Sequence, residues 1–230
     1  MFCLCWCLFH KVAARDAQKL CMLIMLSIMA LPLIAADIEE LQVIKNDGKY
    51  YIEMVAVVSV PAKYVHRVLT DYTHIHRLNP AITESEILPT FDNEAVRVRT
   101  RIENCFFIFC VEISRVEDIH ELPSGDLNAA IVPALSDFKS GFADWRIQGI
   151  GVRSRIKYLA QMEPDFYIPP FIGSHFFKAK LREDITIGLK KLECLAKIEE
   201  VLAWNPDLQA SDINVDTLCA ETCDPQTSQC

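Results

Sequence analysis

Apolar and polar residues alternate along the middle of the chain with a period of two. In Glu94–Glu103, Val96, Val98, Thr100 and Ile102 fall on one side, and Arg97, Arg99 and Arg101 on the other. That pattern predicts a half-buried antiparallel strand. Phe106–Ile119 repeats it, with Phe107, Phe109, Val111 and Ile113 opposite Glu112 and Ser114. Phe142–Ile150 sets Ala143, Trp145 and Ile147 against Asp144, Arg146 and Gln148. Val152–Glu163 sets Ile156, Tyr158, Ala160 and Met162 against Arg153, Arg155, Lys157 and Gln161. Ile82–Leu88 and Leu127–Leu135 are further strands, and Tyr50–Val60, apolar on both faces, is a central one.

The period changes in two places. Val65, Val68, Leu69, Tyr72, Ile75 and Leu78 recur every three or four residues, which predicts one helix or two short ones over Ala62–Leu78. Pro61 suits its first turn, and Asn79-Pro80 stops it. Phe171–Leu202 reads as one long helix. Its stripe is Phe177, Leu181, Ile185, Leu189, Leu192, Cys194 or Leu195, and Ile198, with Glu183 and Asp184 on the polar side. Residues 37–49 form a polar lead-in with an Asn-Asp-Gly turn at 46–48. Pro123-Ser124-Gly125 is a turn and Ser136–Gly141 a connection. Trp204–Cys230 has no periodicity and reads as a mobile tail. Consecutive strands joined by short turns make an antiparallel meander. A terminal helix must then cover its apolar face, so the fold class is α+β, with six to seven strands.

Composition narrows the function classes. The chain has 230 residues, 51% of them apolar, enough for one buried core. Seven glycines are too few for a glycine-rich phosphate cradle. The first 36 residues carry Lys11, Arg15 and Lys19, then the apolar run Leu20–Ala36 ending in Ala35-Ala36. They read as a secretory signal peptide, with an uncleaved N-terminal anchor as the alternative. Without them, 20 basic and 30 acidic side chains remain, a formal −10. Such a domain repels phosphate backbones, so no nucleic-acid partner is expected.

An exported chain permits disulfides. Six cysteines lie beyond residue 36: Cys105, Cys110, Cys194, Cys219, Cys223 and Cys230. In one straight strand Cys105 and Cys110 would be roughly 16 Å apart at ~3.3 Å per residue. A disulfide needs less than about 7 Å between Cα atoms, so they pair only if Phe106–Phe109 turns or bulges. Cys219, Cys223 and Cys230 sit in the polar tail, where pairing is easy. No Cys-x-x-Cys occurs, and no metal or cofactor is expected.

No nucleophile–base arrangement is legible. Asp71, His74, His76, Asp144 and Arg155 are the available acid and base groups. His74 and His76 point to different sides of a helix, and His66 and His76 suit the surface. Asp144 and Arg155 fall on the polar faces of their strands, and Asp71 suits a cap or a brace of its helix. Arg97, Arg99 and Arg101 form a basic face. It meets either acidic neighbours or an anionic headgroup, in which case the protein makes peripheral membrane contact.

Local motifs add a resemblance. Val60-Pro61, Asp71-Tyr72, Asn79-Pro80, Thr83-Glu84-Ser85 and Ile87-Leu88 come first. Gly141-x-x-x-Trp145, Arg155-x-x-Tyr158, Glu163-Pro164 and Ile168–Leu181 follow in order. Over roughly residues 50–200 the chain resembles the START-like superfamily, closest to its polyketide cyclase/dehydrase and coenzyme Q-binding START branch. The resemblance implies a helix-grip fold, a curved antiparallel sheet wrapped around a long C-terminal helix. It divides the chain into a signal peptide or anchor (1–36), a START-like domain (37–203) and a cysteine-bearing tail (204–230). It implies an apolar ligand such as a lipid, isoprenoid quinone or polyketide-like molecule. Inward candidates are Val98, Phe107, Phe109, Trp145, Tyr158, Met162 and Phe177. The alternatives are a polyketide cyclase or hydratase and a protein-interaction module. With the leader, the implied place is the periplasm, or the membrane surface if the anchor is retained.

Overall fold

Eight strands form one antiparallel sheet in the order β1-β2-β8-β7-β6-β5-β4-β3. The computed structural model describes residues 36–90, 94–106, 109–166, 173–205, 207, 208 and 219. The expected leader, Phe107, Cys223 and Cys230 lie outside these residues, as do the side chains of Cys105, Phe109 and Phe177. The strands are β1 (Asp37–Asn46), β2 (Lys49–Val58), β3 (Ile82–Leu88), β4 (Val96–Phe106), β5 (Phe109–Glu121), β6 (Leu127–Ile131), β7 (Phe138–Ile150) and β8 (Arg153–Pro164). Helix α1 (Ala62–Leu69) and a 3-10 segment (Tyr72–Arg77) carry the chain from β2 to the far edge, β3. Helix α2 (Gly173–Trp204) closes the fold.

The count of six to seven strands is corrected to eight. The added strand is β1, in the expected polar lead-in. Only Val43 of its ten residues is buried, so this edge strand carries no period-two apolar signal. The turn recruits it. Asp47 and Gly48 take φ of 48° and 78°, the pair of positive values a two-residue type I′ hairpin needs. A second difference lies before β7, which starts at Phe138 inside the expected connection. The run expected as strand through Leu135 ends at Ile131, where the 3-10 turn Pro133–Leu135 takes over.

Across the concave face, Ile119, Ala129, Ala143, Ala160, Ile52 and Val43 stand directly opposite one another from β5 to β1. All six are buried. The next row is Leu127, Trp145, Tyr158, Met54 and Leu41. Three central alanines keep the first row low, and Trp145 and Tyr158 raise the second. The C-terminal half of α2 packs against this sheet and α1 through Leu189, Leu192, Leu195 and Ile198. Burial of such side chains stabilises by roughly 1.5–3 kcal/mol each.

The arginine face on the other side of the sheet is matched by acids. Arg97 makes a two-pronged pair with Asp118 at 2.7 Å. Arg99 meets Glu86, and Arg101 lies 3.2 Å from Glu84 and 3.4 Å from Glu112. Each acid lies on a neighbouring strand, so the three charges knit β3, β4 and β5 together.

Two cysteine findings bear on the tail. Phe106 stands opposite Phe109 and Cys105 opposite Cys110, so the reversal falls where that pairing requires it. Cys110 is disulfide-bonded. Cys219 is bonded to Cys194 on α2, with Cα atoms 5.6 Å apart. The tail is therefore fixed to the domain rather than paired only within itself. Cys194 is 3% exposed, and Cys219 packs against the same core cluster. Cys194 sits one residue from Leu195 on the buried helix face, where its thiol counted in sequence as one more core position.

Candidate functional site

A cavity of about 260 Å³ opens between the N-terminal half of α2 and the concave sheet. Here the helix stands off the strands instead of packing onto them. Leu181 and Ile185 form its roof, Ile52 and Met54 of β2 its floor, and Ile102 and Ile113 one side. Leu78, Asn79 and Ile82, where the 3-10 segment runs into β3, line another side. Asn79 accepts the Ala81 backbone N–H at 2.8 Å, which holds this corner.

Three expected inward residues line the cavity: Trp145, Tyr158 and Met162. Trp145 and Tyr158 are direct cross-strand partners, with ring centroids 4.3 Å apart. Val98 does not line the cavity. It is 2% exposed and packs in the adjoining core with Ile119 and Tyr72. The other expected acid and base groups lie elsewhere. His74 and Arg77 both pair with Asp71, bracing the 3-10 segment. His76 is 3.2 Å from Ser85. Asp144 accepts from Asn128, and Arg155 pairs with Glu39. Among the described residues no group of three or more His, Cys, Asp or Glu is placed to hold a metal. No described helix is long and apolar enough to cross a membrane.

Sequence reading missed the charged groups of the cavity. Arg115 lines it, and its Nε lies 3.1 Å from Glu117, which is 14% exposed. Both continue the odd-numbered inner face that starts at Val111 on β5. Two charges on a face that should be apolar were the available signal. Lys180 and Asp184 line it from α2, one helical turn apart, at 3.0 Å. Asp184, expected on the polar side, is 12% exposed. The correction has a physical cause. This part of the helix roofs a space, so a carboxylate beside the apolar stripe faces the cavity.

Burial raises the Asp184 carboxyl above its ordinary range, and Lys180 opposes the shift. Burial works to lower Lys180, but the hydrogen bond and charge of Asp184, with Glu183, hold it above its ordinary value. Burial also pushes the Tyr158 hydroxyl up to about 12, with Arg115 pulling down and Glu117 adding to the rise. Above pH 10.0 the unfolded chain ionises this tyrosine while the folded chain keeps it neutral. Stability therefore falls as pH rises from 10.0 to about 12. Tyrosinate absorbance titrations of the native chain and Tyr158→Phe should differ by one step near pH 12. A difference near pH 10.0 would contradict this placement of the hydroxyl.

No protein-family model and no curated protein matches the chain. Solved structures do. An aromatase/cyclase, Zhui, from Streptomyces sp. R1128 aligns with a TM-score of 0.56 and 14% identity, over 68% of this chain and 98% of that one. A Thermus thermophilus protein aligns at 0.54 and 15%, over 65% and 98%. A START superfamily protein from Mycobacterium smegmatis aligns at 0.51 and 15%, over 66% and 98%. The chain has the START-like helix-grip fold. In that START-like frame the cavity lies between the gripping sheet and the gripped helix, and α2 contributes its roof and two of its charged groups, Lys180 and Asp184.

Proposed function

We propose that this START-like chain binds a small apolar molecule in the cavity under α2 and carries or senses it. The observation that carries this reading is the cavity itself. It is a partly open cavity lined mainly by aliphatic side chains, with the Trp145–Tyr158 pair in one wall and a few polar groups inside. That is the usual make-up of a small-molecule site. Its volume of about 260 Å³ suits one compact molecule rather than a two-chain lipid. The test is titration with N-phenyl-1-naphthylamine, an uncharged fluorescent probe. Saturable uptake of one probe per chain is expected, and a flat titration of folded protein would remove the reading.

A second reading is a cyclase or hydratase acting on a polyketide-like substrate. Asp184 favours it, being an acid inside the cavity with a raised pKa beside Lys180. Turnover lost in Asp184→Asn with probe binding kept would support the enzyme.

We also propose export to the periplasm. The basic and then apolar run of residues 1–36 and the Cys194–Cys219 disulfide both suit an oxidising compartment. A mature chain starting at Asp37 is expected on N-terminal sequencing, and recovery from the cytoplasm starting at Met1 would count against export.

A further inference from the structure

Among the described residues, every cation that lines the cavity already has its carboxylate. Arg115 is matched by Glu117 at 3.1 Å from the sheet side. Lys180 is matched by Asp184 at 3.0 Å and Glu183 at 3.3 Å from the helix side. These side chains are partly to largely buried. Glu117 is 14% exposed, Asp184 12%, Arg115 22% and Lys180 26%. Only Glu183, 45% exposed, is well solvated. A carboxylate or phosphate entering this space would lose its water and find no unmatched positive charge among these groups. It would also meet Asp184 or Glu117 beside whichever cation it approached. Desolvation without a new partner is costly, and a like charge adds to the cost.

A neutral oxygen meets a different situation. Arg115 Nε is buried 3.1 Å from Glu117, so it faces its carboxylate and is not open to the cavity. A carbonyl or hydroxyl oxygen brings no second negative charge, and a guanidinium with five N–H donors or an ammonium with three can donate to it while keeping its carboxylate. The remaining walls are mainly aliphatic and aromatic.

We infer that the cavity selects compact, uncharged apolar molecules bearing a hydroxyl or carbonyl oxygen, and that it rejects carboxylate-headed lipids of the same length. The inference rests on the ligand-binding reading above and specifies it.

The experiment is competition against N-phenyl-1-naphthylamine at pH 7.5 with a matched pair, 1-decanol and decanoate. Decanol is expected to displace the probe at a concentration about tenfold or more below decanoate, the scale of one poorly matched partly buried charge. Two variants then unbalance the two stations separately. Asp184→Asn and Glu117→Gln each remove a carboxylate beside a cavity cation, so each should tighten decanoate about tenfold relative to decanol. Because the two lie on different elements, a fold defect in one leaves the other as the test. Equal displacement by decanol and decanoate in the native chain would overturn the selectivity and leave the cavity reading standing. Failure of the probe itself to bind would overturn both. Variants that weaken decanoate would show that these carboxylates do not set the charge balance.

Discussion

Trp145→Ala is expected to weaken binding of an apolar probe by about 2 kcal/mol, roughly thirtyfold, while the domain stays folded. Trp145 gives the cavity a wall and is held by Tyr158, its direct partner on β8. Truncation removes a large rigid surface that a ligand would cover, and it frees the Tyr158 ring to move into the space. Trp145→Phe keeps an aromatic wall and should recover most of the affinity. Probe titration with far-ultraviolet circular dichroism of each variant checks this. Unchanged affinity in folded Trp145→Ala would mean that ligands sit elsewhere.

Breaking the Cys194–Cys219 bond should have the largest effect on stability. The bond closes a loop of 25 residues. Chain-entropy arguments give such a crosslink about 3.5 kcal/mol. For a domain of this size that corresponds to a fall of roughly 7–14 °C in melting temperature. Cys219→Ser is the clean variant, because Cys219 lies on the tail and its loss leaves no hole in the helix face. Reducing agent, which also breaks the bond at Cys110, should lower the native chain at least as far and lower Cys219→Ser by less. Deletion of residues 205–230 should act alike. A polar tail without periodicity, read as mobile, leads one to expect stability nearly unchanged on its removal. One buried cysteine on α2 reverses that expectation. A change below about 1 °C in Cys219→Ser would show that the crosslink adds little.

The elements that proved legible from sequence share a property: each buries one face and exposes the other. Strands β4, β7 and β8 do so, and their alternation matches the buried faces, with Trp145, Tyr158 and Met162 toward the cavity. Helix α2 was legible for the same reason along Leu189, Leu192 and Ile198. Edge strand β1 buries only Val43 and is held by backbone pairing and a positive-φ turn, neither of which leaves an apolar period. The interior charges were hidden by the rule that made the rest readable. Periodicity assigns Asp184 to solvent, and a reading by apolar residues picks out neither Lys180 nor Arg115 and Glu117, although the parity of β5 puts the last two on its inner face. Only the gap between α2 and the sheet makes an inward position for them tolerable, and that gap is a tertiary feature. The disulfide joins a core position to a tail residue, and no spacing rule links the two.

The most direct test of the account is native mass spectrometry of the folded domain purified from a membrane-containing lysate, followed by organic extraction. The account predicts one bound molecule per chain, small, uncharged and oxygen-bearing, that is lost in Trp145→Ala. A folded native domain that carries nothing, and that also fails to take up N-phenyl-1-naphthylamine when it is added, would contradict it.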